Sequence, residues 1–445
     1  MVSYYHIKIS GKKSAYWQIC LAAQGDRMYQ RTELPNGIRI ITEYLPYLRS
    51  VTLGAWYEVG SRHEEQPEWG ISHFIEHMMF KGTAKYSAKD IAEVMDQRGG
   101  YLNAFTGKDQ TCYYFKVLDE HYATASDLLE QMLLSSLFSP SDVLKERNVV
   151  LEELSMYEDS PEELVHDLFF DAMWPEDPLG RNIIGSTQSI SGFTPEMIRE
   201  YLAKHYTADR LVIASAGNIS HEQVVDTFGA AFGSLSRGSR PLLDKASHRS
   251  GQGRFQDKDI EQVHLCLGGP ALCRHDGRRY ALALLDTMIG GGVSSLLFQE
   301  MREERGLVYN TYSFTSLYDD AGSYGIYAGF NPQQWAQVWD VLRTLFGGIP
   351  HLITPAMLER AKGQMKGSLM LSLESTSTRM TRLIKGEMDE GRLTTPEDTM
   401  KRLADVTYED LMELASIVYD PEKWSWVALG PRQLVKEDVL CQTIC

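Results

Sequence analysis

Gly70-Ile71-Ser72-His73-Phe74-Ile75-Glu76-His77-Met78-Met79-Phe80 carries the pattern His-x-x-Glu-His. Apolar residues recur at helical spacing across it, which predicts a helix over 71–80. Residues four apart lie one turn apart on one face of a helix, so His73 and His77 can grip a single metal ion from the same side. Glu76, three residues from His73, projects to that face and can reach a metal-bound water without displacing a ligand. Two imidazoles plus a carboxylate, with an open fourth position, is a catalytic zinc arrangement. Zinc lowers the pKa of a water and polarises a carbonyl, and a free glutamate takes the proton. The pattern is His-Glu-x-x-His written backwards. The plainer alternative is a helix with two partly exposed histidines and a solvated glutamate. The apolar flanks Phe74, Ile75, Met78, Met79 and Phe80 argue against it, because ionisable groups on a largely apolar helix need a reason.

A zinc site needs a third protein ligand. Downstream, residues 145–158 read as a helix offering Glu146, Glu152, Glu153 and Glu158. Glu146 and Glu153 are seven apart, about two turns, and share a face. Glu152 points about 100° away from Glu153. Spacing alone does not choose between these neighbours, and four solvated surface carboxylates are the alternative.

Around these motifs the composition is that of a globular chain. It has 445 residues, 43% hydrophobic and 23% charged, which excludes wholesale disorder, a collagen-like repeat and a disulfide-stapled mini-protein. The length predicts two to three domains. Lys plus Arg is 44 and Asp plus Glu is 60, a net charge of −16. Such a surface is a poor partner for nucleic acid or an anionic membrane. It serves solubility, or attraction of basic ligands. The six cysteines match no CxxC pattern, and no run approaches 18 apolar residues. A reduced, cytoplasmic location is expected.

Residues 1–27 stand apart. Lys12-Lys13 precede a short apolar stretch interrupted by Gln18, too weak for a signal peptide. Gln24-Gly25-Asp26, just before Met28, has codons that can spell a ribosome-binding sequence. The expectation is a leader or a mis-called start, with translation from Met28.

From Tyr29 the pattern is regular. Residues 29–33 and 38–43 flank Pro35-Asn36-Gly37 as a β-hairpin. A strand over 51–59, a helix over 88–98 ending at Gly99-Gly100, and strands over 101–106 and 111–117 follow. Helices over 121–134, 141–157 and 195–205 and a strand over 211–216 complete the first half. Gly233 to Gly253 reads as a linker. The second half repeats the logic with strands over 263–267, 307–315 and 322–329 and helices over 277–288, 295–304, 332–346 and 355–373. Both halves close on a helix, a polar turn, an apolar strand and a glycine, at residues 207–217 and 420–430. The expected fold is therefore α+β, two domains of one duplicated architecture. Residues 28–236 would be the first domain, 237–254 the linker and 255–445 the second.

With these residues in place the sequence resembles the insulinase/pitrilysin family, most closely its mitochondrial-processing-peptidase-like branch, from about Arg31 to Arg432. The resemblance implies that the third zinc ligand is a glutamate preceded, seven residues earlier, by a supporting glutamate. That pair is Glu153 and Glu146, with Glu152 as the fallback ligand. A carboxylate that orients a ligand is physically sensible. Gly99-Gly100-Tyr101-Leu102-Asn103-Ala104-Phe105-Thr106 is similar to the family's edge strand, where substrate adds as an extended strand. Asn103, Ala104 and Phe105 become substrate-binding candidates. Residues 297–309 match a segment in which an arginine and a tyrosine seven apart act from the C-terminal domain. Here they are Arg302 and Tyr309, suited to hold a carbonyl or an oxyanion. Gly290-Gly291-Gly292 falls at the family's glycine-rich turn and is not a phosphate loop, since no Lys-Ser/Thr follows.

The resemblance implies two domains, each a mostly antiparallel sheet with helices packed on one face, in a clamshell. It implies one Zn2+ per chain and a zinc endopeptidase acting on peptides or unfolded segments; the net charge of −16 adds the expectation that basic peptides are among them. Long family members carry two such domain pairs, so a homodimer, or a heterodimer with a half-length relative, is expected. The rival is a non-catalytic partner subunit. Such subunits have usually lost part of the motif, which is whole here. A purely structural zinc site normally has four protein ligands, and only three are found beside an unengaged Glu76.

Overall fold

The computed structural model describes residues 19–20, 29–238, 243 and 245–432. The expected leader lies outside these apart from Ile19–Cys20. In chain order the first half supplies β1 (Ile19–Cys20), β2 (Tyr29–Glu33), β3 (Arg39–Tyr44), β4 (Ser50–Tyr57), α1 (Ile71–Met78), α2 (Ala88–Asp96), β5 (Tyr101–Thr106), β6 (Thr111–Leu118), α3 (Tyr122–Ser135), α4 (Pro140–Asp159), α5 (Pro161–Met173), α6 (Thr187–Gly192), α7 (Pro195–His205), β7 (Leu211–Gly217) and α8 (His221–Phe232). The second half supplies β8 (Gly253–Asp257), β9 (Val263–Pro270), α9 (Arg279–Ile289), β10 (Val308–Leu317), β11 (Gly322–Phe330), α10 (Trp335–Leu352), α11 (Pro355–Ser372), α12 (Thr376–Glu390), α13 (Pro396–Asp405), α14 (Tyr408–Val418) and β12 (Ser425–Gly430).

Local chemistry explains many boundaries. The β2–β3 hairpin turns through Gly37 at φ +95°, a region glycine enters freely. Helix α2 opens on a reciprocal cap. The Ser87 hydroxyl accepts the Asp90 N–H at 3.2 Å, and the Asp90 carboxylate accepts the Ser87 N–H at 2.9 Å. The helix expected over 295–304 is instead a π-helical stretch, Phe298–Glu303.

The two sheets share one topology. The first runs β1-β2-β3-β7-β4-β6-β5 and the second β10-β11-β9-β12-β8. Read from the opposite edge, β8-β12-β9-β11-β10 matches β3-β7-β4-β6-β5. The single parallel pair in each also corresponds, β3 with β7 and β8 with β12. All other neighbours are antiparallel. The chain is thus a duplicated α+β architecture of mostly antiparallel sheets.

A cut of the chain into 28–236 and 255–445 misses an exchange. Of the described residues, the first compact unit takes those within Met1–Leu154, Ile183–Leu243 and Ser372–Thr394, and the second those within Ser155–Asn182, Asp244–Leu371 and Thr395–Cys445. Helix α12, from the second half, therefore belongs to the first unit. Its stripe Met380, Leu383 and Ile384 packs on Ile41, Trp56, Val212, Ala214 and Ala216 of the first sheet. Two buried carboxylates fasten it. Arg31 donates to both oxygens of Glu387, at 2.9 and 2.8 Å, and Arg379 pairs with the fully buried Glu43. Reciprocally, Val165, Phe169 and Met173 of α5 pack with Cys266, Tyr327, Val427 and Leu429 in the second unit. The physical reason is periodicity. Each helix has an apolar stripe that fits the open face of one sheet, and connectivity does not dictate which half supplies it.

Candidate metal centre

Helix α1 begins after Gly70 and buries Ile71, Phe74, Ile75 and Met78. With that stripe fixed in the core, His73, Glu76 and His77 fall on the remaining face. The two imidazoles lie with ring centroids 4.7 Å apart. Helix α4 presents Glu153 to both: its oxygens are 3.6 Å from His73 Nε2 and 3.3 Å from His77 Nε2. One donor atom from each of His73, His77 and Glu153 lies within 4.8 Å of the others, the one such cluster among the described residues. Glu152 is exposed and outside it. Two converging imidazoles and a carboxylate fit zinc in its three-protein-ligand form, in which the fourth position is taken by water or substrate.

Glu146, one α4 face with Glu153, is nearly buried and accepts from His77 Nδ1 at 2.9 Å. Its other oxygen takes Lys81 Nζ at 2.6 Å. Burial pushes its carboxyl up, but the His77 and Lys81 hydrogen bonds outweigh that and hold it below the ordinary value. Burial disfavours the His77 imidazolium, yet Glu146, Glu153 and Glu76 pull its pKa upward. His73 is driven down to about 4, by burial first and the neighbouring His77 second. It is therefore a neutral, ligand-ready imidazole at neutral pH.

Glu76 stands beside this cluster without joining it. The Thr106 hydroxyl donates to its Oε2 at 2.5 Å. Burial raises the Glu76 carboxyl, partly offset by the Thr106 hydrogen bond. A carboxylate so raised is a stronger base than one in water.

Asn103, Ala104 and Phe105 lie on β5, the terminal strand of the first sheet. Its exposure alternates along the strand, and Phe105 packs edge-on against Trp56 at 5.1 Å. Among the described residues β5 pairs only with β6. Arg302 and Tyr309 stand together in the second unit. The guanidinium lies 5.5 Å from the Tyr309 ring and 4.9 Å from Phe298, and Tyr309 is 75% exposed. Sequence reasoning missed Thr106 and Lys81. Lys81 follows His77 by one helical turn, a spacing that could have pointed to it, whereas Thr106 needed the β5 register.

A duplicated α+β fold carrying an inverted His-x-x-Glu-His helix and a glutamate on a second helix defines the class of the insulinase-type metallopeptidases. The family model for insulinase (peptidase family M16) matches residues 39–187, and that for the peptidase M16 inactive domain matches residues 192–365. The chain is 43% identical over 398 residues to an uncharacterized zinc protease of Streptomyces coelicolor, covering 87% of this chain and 86% of that one. It is 43% identical to the uncharacterized zinc protease YmxG of Bacillus subtilis, covering 91% and 98%. A crystal structure of a protease from Helicobacter pylori has the same fold, with a TM-score of 0.82 at 23% identity, covering 91% and 99%. The chain belongs to the insulinase family, M16. No helix among its described residues is long and apolar enough to cross a membrane.

Proposed function

We propose that this chain is a zinc endopeptidase acting on peptides or unfolded segments. The observation that carries the reading is the convergence of His73, His77 and Glu153, with Glu76 beside them outside the cluster and held by the Thr106 hydroxyl. In the proposal these three hold one Zn2+, which when bound acidifies a water and polarises the scissile carbonyl. Glu76 takes the proton and later delivers it to the leaving amine. The Thr106 hydroxyl holds Glu76 in place, and Glu146 fixes the His77 ring so that Nε2 faces the metal position. The edge of β5 offers backbone groups at Asn103, Ala104 and Phe105 to an extended peptide. Arg302 and Tyr309 are the proposed contacts for a substrate carbonyl or oxyanion, on the family pattern and their pairing in the second unit.

Peptide hydrolysis abolished by a chelator and restored by zinc tests the reading. Glu76→Gln should keep stoichiometric zinc and lose hydrolysis; a variant cleaving at the parent rate removes Glu76 as the base. The proposed partners are peptides, basic ones included given the −16 charge, and a second half-length chain, identical or related. Light scattering that finds only monomer mass, alone and with a related chain, defeats the second.

A further inference from the structure

One buried carboxylate outside the donor set lies in the segment just before the zinc-site helix and is aimed at that helix's start. Glu64 is 5% exposed. Its Oε2 accepts the Gly70 N–H at 2.7 Å and its Oε1 accepts the Ser72 N–H at 2.9 Å. The N–H groups at a helix start have no partner within the helix, and the positive end of the helix dipole favours a negative charge there. The approach is tight. Gly70 enters at φ +89°, and a Cβ on it would sit 2.1 Å from the Ile184 carbonyl oxygen.

The residues just before Glu64 grip the turn between β5 and β6. The Ser61 and Arg62 N–H groups donate to the Gly107 and Lys108 carbonyls at 3.1 and 2.9 Å. The Arg62 guanidinium, 2% exposed, lies 3.7 Å from the Asp109 carboxylate. A Cβ on Gly60 would meet the Gly107 oxygen at 2.2 Å, so only glycine permits this approach. Strand β5 ends at Thr106, whose hydroxyl reaches back to Glu76 on α1. A closed circuit results: residues 60–64 to the start of α1, α1 to Thr106 through Glu76, and the β5–β6 turn back to residues 60–62. Every member lies in the first unit.

We infer that Glu64 is a positioning residue of the peptidase site, one that fixes where α1 begins against the β5–β6 turn and so places Glu76, His73 and His77 over the substrate edge strand. The inference rests on the proposed peptidase reading. Helix α1 has only eight residues, so a shift at its first turn reaches Glu76 undamped. A neutral serine or asparagine would serve to cap a helix. A buried carboxylate is a costlier device, pushed up to about 7 by burial against the pull of the Gly70 and Ser72 N–H groups. Its two oxygens hold two successive turn positions at once, which a single hydroxyl does not.

The test is Glu64→Gln in the full chain. The amide can accept from only one of the two N–H groups and sets its own donors against the other. The expected result is a fall in kcat of about tenfold or more with KM within about twofold. Zinc content should be retained, since no ligand is touched. Amide exchange of the zinc-free protein should rise over residues 71–76 and stay at parent values in β4 and β6. Arg62→Lys, acting at the other end of the circuit, should reproduce the kcat loss more mildly. Parent kcat with unchanged exchange in α1 overturns the inference. So does a kcat loss with exchange raised equally through the whole sheet, which marks Glu64 as merely structural. A parent that hydrolyses no peptide under any zinc condition sinks the peptidase reading instead, and the α1 exchange pattern still decides whether Glu64 holds the helix.

Discussion

Glu146→Gln separates a helper from a ligand in the proposed zinc site. The carboxylate bridges His77 Nδ1 at 2.9 Å and Lys81 Nζ at 2.6 Å, with its own side chain 3% exposed. Glutamine preserves the volume but offers one acceptor where two are used. Either His77 or Lys81 loses its partner, and the charge that polarises the imidazole is gone in both cases. Removing such an orienting group typically costs about 10–100-fold in metal affinity, or roughly 1.4–2.7 kcal/mol. Lys81 is itself 35% exposed, so it can turn to water, and the stability loss from that pair should stay near about 1 kcal/mol. The assay is zinc competition against a chromogenic chelator, with urea unfolding of the zinc-free protein alongside. Glu153→Ala should abolish competitive binding, and Glu152→Ala, exposed and outside the cluster, should match the parent. The reasoning is refuted if Glu146→Gln binds zinc within about twofold of the parent. Zinc retention in Glu153→Ala removes that residue as the ligand.

Two further outcomes test the first unit's architecture. Glu387→Ala should lower unfolding stability by about 2–3 kcal/mol, less than a fully buried pair would, because Arg31 is 27% exposed; an unchanged urea midpoint defeats the idea that α12 is fastened there. Glu64 has a folded-state pKa raised from 4.5 to about 7, so the folded state binds its proton more tightly. Its contribution is present below about pH 4.5 and is lost as pH rises through 7; the difference, 7 − 4.5 = 2.5, corresponds to about 3 kcal/mol. Between pH 5 and pH 8 the zinc-free parent should lose most of that relative to Glu64→Gln, and parallel urea stabilities across the range would contradict it.

What the sequence made legible was whatever is written in local period and spacing. The α1 motif and the β2–β3 hairpin follow from residues a few positions apart; spacing put Glu146 and Glu153 on one α4 face, but the preference for Glu153 over Glu152 came from the family resemblance. The duplicated topology was visible at the level of halves, because each half repeats the same strand and helix order. The exchange of α5 and α12 was not visible. Both have apolar stripes, Val165-Phe169-Met173 and Met380-Leu383-Ile384, but a stripe states that a face is buried, not on which sheet. Helix α13 was also passed over, and α14 was expected only as an unbounded helix before the closing turn. Their start signals are plain in retrospect: Thr395 with Asp398, and Thr407 with Asp410, form reciprocal caps. Glu64 was unreadable for a different reason, since its partners are backbone N–H groups, which leave no mark in side-chain pattern.

The two units differ in what they carry beyond the shared fold. In the shared topology α9 stands where α1 does, and β10 where β5 does. Both units join that helix to that strand by a carboxylate and a hydroxyl. In the first, Thr106 donates to Glu76 at 2.5 Å; in the second, Ser313 donates to Asp286 at 2.6 Å. Burial raises both carboxyls. The second unit thus keeps the clasp, yet no donor cluster accompanies it among the described residues. A raised carboxylate tied to an edge strand is therefore a property of the architecture, and it satisfies a buried polar group whether or not any reaction follows. What distinguishes the first unit is the histidine pair one turn apart on α1 and the glutamate that α4 brings to it. In the proposed peptidase, the raised carboxyl of Glu76 is thus a feature shared with the second unit, while the cluster beside it comes from His73, His77 and Glu153, which have no counterpart cluster among the described residues of that unit.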